Sequence, residues 1–117
     1  MRVLGLTGSI GMGKSTTAKL FAEAGIAGPP KTVDEFMEAA KKVSALPDKF
    51  GYCLRGGSGG FNGWAMMGAA VNGDNTFFDK DGNSTLAGPG WVAGFQNLID
   101  IYKNGWAPKD AVNWGYK

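Results

Sequence analysis

The segment that most constrains this chain is 8–15, Gly8-Ser9-Ile10-Gly11-Met12-Gly13-Lys14-Ser15, which fills every position of the pattern G-x-x-x-x-G-K-[ST]. Glycines at that spacing let the backbone curl into a nest and bring its N–H groups close to an anion, because no Cβ stands in the way. The flanks suit the turn. Val3, Leu4 and Leu6 form a short apolar run that reads as a buried strand over 2–7. Residues 14–24 then read as a helix, with Ala18, Phe21 and Ala22 on one stripe and Gly25 as its terminator. Strand, turn and helix in that order set the positive end of a helix dipole at the turn.

A loop of this kind assigns roles residue by residue. Gly8, Ser9, Ile10, Gly11, Met12 and Gly13 form the cradle. Lys14 reaches the β- and γ-phosphates, the Ser15 hydroxyl ligates Mg²⁺, and Thr16 donates to the α-phosphate. The expected ligand is a nucleotide, ATP or ADP with Mg²⁺, or inorganic phosphate or sulfate. The bland alternative is a glycine-rich β–α turn with an exposed lysine.

Binding does not make a catalyst. Phosphoryl transfer also needs a base or water-positioning group, and an acid near Mg²⁺ at the end of an apolar strand. The apolar run that ends in an acid, Leu98-Ile99-Asp100, lies within a helical pattern, so Asp100 reads as a surface residue. No catalytic residue is assigned, and at most weak NTPase turnover is expected.

Composition removes other chemistries. The chain has no His and one Cys, which excludes Ser-His-Asp triads, Cys-His pairs, Cys/His zinc sites and an intrachain disulfide. Cys53 lies in an apolar run and reads as packed inside. A net charge of +2 gives no basic surface for nucleic acid. No apolar run approaches the roughly twenty residues of a membrane helix, and the N-terminus has no signal-peptide pattern, so the chain as written is expected in the cytoplasm and off membranes.

Beyond a breaker cluster at 27–30, Thr32 and Glu35 form a capping-box pair. Phe36, Ala39, Ala40 and Val43 follow as the apolar face of a helix that Pro47 ends. Residues 50–54 read as a second strand and 55–60 as a flexible loop. Residues 61–71 read as a helix with Trp64, Met67 and Val71 on one side and Gly73 at its end. Residues 76–78 and 84–86 flank a turn at 79–83 and read as a hairpin. Residues 90–104 form the longest helix, with Trp91, Phe95, Leu98 and Tyr102 along one stripe, stopped by Gly105. The tail, with Val112, Trp114 and Tyr116, reads as a last short element. Helices alternating with strands predict an α/β fold: a small three-layer sandwich with a mostly parallel sheet and the P-loop strand-turn-helix at its N-terminus. Open sheet edges leave a monomer or a weak homodimer.

Three weaker features remain. Asp79-Lys80-Asp81-Gly82-Asn83 imitates the start of a calcium loop, but Ser84 and Gly90 stand where that loop wants Gly and Glu. Arg55 beside the glycine-rich loop reads as a surface residue or as a contact for an anion or sugar. Trp64, Trp91, Trp106 and Trp114 sit in apolar patterns and read as core.

Residues 1–26, MRVLGLTGSIGMGKSTTAKLFAEAGI, resemble the N-terminus of dephospho-coenzyme A kinase. That resemblance implies ATP and Mg²⁺, and in the family a second strand with a D-x-D-like acidic motif follows. Here Ala27-Gly28-Pro29-Pro30 follows instead, so the kinase activity itself is not expected. From about residue 31 to 117 the chain resembles the solute-binding proteins of sugar and polyol ABC importers, through PKTVDEFMEAAKKV, NGDNTFFDKDGNSTL and VAGFQNLIDIYKNG. This second resemblance implies a periplasmic parent, and a sugar cleft faced by Ser58, Phe61 and Trp64. Together the two describe a chimera, engineered or recombined: a β–α unit over 1–26, a junction at 27–30 and a solute-binding-like fragment over 31–117, joined in one domain. The functional expectation is a phosphate- or nucleotide-binding chimera; the alternatives are a residual sugar- or polyol-binding module and a scaffold without a ligand.

Overall fold

The computed structural model describes residues 14–115. The chain divides into two compact units, Met1–Gly51 and Tyr52–Lys117. The boundary of compactness therefore falls well after residues 27–30, where the junction was expected.

Two helices build the described part of the first unit. Helix α1 spans Lys14–Glu23. Gly25 takes φ +68°, the Ile26 N–H donates to the Phe21 carbonyl at 2.7 Å, and the Gly25 N–H donates to the Ala22 carbonyl at 3.1 Å. This pair of bonds is a Schellman cap, and it needs glycine at the left-handed position. Helix α2 spans Val33–Ser44. Thr32 Oγ1 accepts from the Glu35 N–H at 3.1 Å, as the capping pair predicts. The Glu35 carboxylate reaches back one residue further than in a standard capping box and accepts from the Lys31 N–H at 2.7 Å. Asp34 and Glu35 in the first turn and Lys41 and Lys42 in the last complement the helix dipole. Ala39, Ala40 and Val43 are buried, and Phe36 is half-buried. The Ser44 hydroxyl donates to the Ala40 carbonyl and accepts from the Gly51 N–H, each at 2.8 Å, which ties the end of the unit back onto α2. A Cβ at Gly51 would collide with the Ala40 backbone, so this return depends on glycine.

The second unit is built on α3, Phe61–Asn72, packed against α4, Pro89–Lys103, with a 3₁₀ turn at Lys109–Asn113. Its core holds Trp91, Leu98 and Ile101, all essentially inaccessible, with Leu54, Met67, Ala107 and Ala111. The two helices approach closely because glycines meet where they cross: a Cβ on Gly94 would lie 2.5 Å from the Gly68 Cα. Trp91 fills the space beside Gly68 and stacks at a tilt between Phe77 (5.3 Å) and Phe95 (6.0 Å). Helix α4 also ends in a Schellman cap, with Gly105 at φ +74° and the Trp106 N–H on the Ile101 carbonyl at 3.0 Å.

The expected three-layer sandwich with a parallel sheet is not what forms. Among the described residues there is no sheet; the β structure is an isolated antiparallel bridge between Phe78 and Ser84. Residues 50–54, expected as a strand, form none. Their neighbourhood bonds to the end of the unit instead: the Tyr52 N–H donates to the Trp106 carbonyl at 3.1 Å and the Gly56 N–H to the Ala111 carbonyl at 3.0 Å. Cys53, expected inside, is exposed. The buried residue of this run is its neighbour Leu54. The hairpin shrinks to its turn and one bridge. The strand expected over 2–7 lies outside the described residues, as does Tyr116.

Candidate functional site

Helix α1, described from Lys14 onward, carries the Lys-Ser end of the G-x-x-x-x-G-K-S pattern. Its first turn carries Ser15 and Thr16, both exposed, and no acidic residue. In general the first N–H groups of a helix lack intrahelical acceptors and its head carries a positive dipole, which suits an anion. Gly8, Ser9, Ile10, Gly11, Met12 and Gly13 lie outside the described residues. The structure thus places Ser15 and Thr16 together on one turn. Ser15, the residue expected to meet Mg²⁺, is exposed, and among the described residues no group of three or more Cys, Asp or Glu is gathered to hold a metal.

Further along the first unit, a cleft of about 370 Å³ opens between the 26–31 segment and α2. Ile26, Pro29, Pro30 and Ala39 line it with apolar surface, and Glu35 and Lys42 lie at its rim. Glu35 is engaged as the cap of α2, and Glu38, also at the rim, pairs with Lys41 at 3.8 Å.

The second unit holds a smaller cavity of about 190 Å³, walled by Tyr52, Arg55, Asn62, Trp64, Met66 and Leu98. The Tyr52 phenol is half-buried and its pKa is raised, first by burial and then by neighbouring Cys53. Of the three residues expected at a sugar cleft, Trp64 lines this cavity; Ser58 and Phe61 are exposed and do not. Arg55, singled out in sequence as a possible anion or sugar contact, does line it. Tyr52 and Asn62 were missed. Asn62 had a weak signal, a polar side chain in the first turn of a helix after a glycine loop; Tyr52 had none, because Leu98, which closes the cavity with it, is remote in sequence.

The loop that imitates a calcium site has its lead carboxylate occupied. Asp79 Oδ1 accepts from the Asp81 and Asn83 N–H groups, each at 2.9 Å, and Oδ2 from Asn83 Nδ2 at 3.2 Å. These bonds, the backbone N–H of Asn83 foremost, hold the Asp79 carboxyl below the usual aspartate range. The carboxylate is a turn brace. Asp100 sits half-buried on α4 and accepts from Gln96 Nε2 at 2.8 Å. Of the four tryptophans, Trp91 is fully buried, Trp64 and Trp106 are half-buried, and Trp114 is 37% exposed with its Nε1 donating to Asp110 at 3.1 Å.

The model of the bacterial extracellular solute-binding protein family matches residues 9–117. The chain belongs to that family. This solute-binding family member is also similar to enzymes of a different kind. It is 92% identical over 26 residues to the dephospho-CoA kinase of Bradyrhizobium diazoefficiens, a stretch that is 22% of this chain and 13% of that one. It is 92% identical over 47 residues to the dephospho-CoA kinase of Rhodopseudomonas palustris strain CGA009, and 55% identical over 47 residues to that of Agrobacterium fabrum; each match is 40% of this chain and 23% of the kinase. The chain thus spans less than a quarter of the length of these curated relatives. No solved structure matches it. The family match and the short kinase matches together make the chain a chimera of these two parts. Among the described residues no helix is long and apolar enough to cross a membrane.

Proposed function

We propose that residues 8–16 bind the phosphates of ATP or ADP with Mg²⁺, or inorganic phosphate, in a solute-binding-like scaffold. The observation that carries this reading is the complete G-x-x-x-x-G-K-S pattern over 8–15, with Ser15 and Thr16 exposed on α1 and no carboxylate beside them. The backbone of Gly8 to Gly13 supplies donors, the Lys14 ammonium balances the charge of the terminal phosphates, and the Thr16 hydroxyl donates to the α-phosphate. Mg²⁺ held through Ser15 would neutralise charge between two phosphates. Positioning and charge balance are the whole of what these residues offer, so turnover of ATP is at most slow. Dephospho-CoA kinase activity is not part of the proposal, because the junction at 27–30 stands where that family continues with its acidic strand.

Calorimetric titration of the full chain with ADP and Mg²⁺ tests this. A charge-assisted contact to phosphate is worth about 1.5–3 kcal/mol, so Lys14→Ala should weaken binding about tenfold or more. Equal affinity in the two proteins removes the proposal.

A second reading rests on the cavity of the second unit. Trp64 and Tyr52 offer ring faces, and Asn62 and Arg55 offer polar groups, a mixture suited to a sugar or polyol. Titration with sorbitol or mannitol, followed by tryptophan fluorescence, should then saturate without nucleotide and fail to saturate in Trp64→Ala. A chain with no ligand at all would show no thermal shift with any of these compounds, since whatever binds only the native state raises its apparent stability.

A further inference from the structure

We draw no further inference here: the strongest candidate, the cleft between the 26–31 segment and α2 in the first unit, is rimmed by exposed charges of both signs, with Glu35 engaged in capping and Glu38 paired with Lys41, and nothing in the structure shows what ligand would cover its apolar floor.

Discussion

The two units divide their assets differently. The first carries the phosphate motif, yet its described core consists of the small side chains Ala39, Ala40 and Val43. The second carries no motif of comparable specificity, yet it buries Trp91, Leu98 and Ile101 between closely crossing helices. Anion recognition by a loop and a helix start needs main-chain donors and one lysine, which local sequence can supply. A core needs large apolar side chains brought together from distant positions. In this chimera the motif lies in the kinase-like segment, and the large buried side chains lie in the second unit.

That contrast can be broken at several points. Trp91→Ala strikes hardest. Removing a fully buried indole should cost about 3–5 kcal/mol, read as a lower urea midpoint of the tryptophan fluorescence transition. A loss below about 1 kcal/mol would mean the second unit is not held by that ring. Gly94→Ala comes next. Its Cβ would press on the Gly68 Cα and, at 2.8 Å, on the Met67 carbonyl, and such overpacking costs about 1–3 kcal/mol. A variant as stable as the parent would show that α3 and α4 cross less tightly than described. In the first unit, Thr32→Ala removes the acceptor for the Glu35 N–H and should cost about 1 kcal/mol, seen as faster amide exchange at Glu35. Unchanged exchange there would put the start of α2 under other control.

The smallest effect is pH-dependent. Asp79 has a folded pKa below its unfolded value, so its support for the 79–83 turn is complete above the ordinary aspartate pKa and fades as pH falls through the lower folded value. The Asn83 amide resonance should therefore move on acidification, with a midpoint below that of a free aspartate. Asp79→Asn should abolish the titration. A midpoint at or above the ordinary value would show that the carboxylate does not brace the turn. Asp79 is fully exposed, so global stability should barely register the change.

Helices were readable from the sequence because both their periodicity and their stops are local. The expected helix at 61–71 is found as Phe61–Asn72 and that at 90–104 as Pro89–Lys103. Gly25, Gly73 and Gly105 all take the positive φ that a terminating glycine permits. The sheet failed for the opposite reason. A run of four or five apolar residues says that a segment is buried, not which partner its backbone finds. The Tyr52 and Gly56 N–H groups bond to the Trp106 and Ala111 carbonyls, some fifty residues away, a pairing that no pattern announces. The candidate sites follow the same division. Trp64, which lines the cavity of the second unit, was legible in the family resemblance. Tyr52 and Leu98 share a cavity wall only because the chain folds back on itself.

One spectrum reads both regions together. Resolved amide and indole N–H signals of the full chain, titrated with ADP and Mg²⁺, should shift at Ser15 and Thr16 and stay in place at Asn62 and at the Trp64 indole. A titration that leaves Ser15 and Thr16 unmoved, or that moves only the signals around Trp64, would contradict a phosphate site at the head of α1.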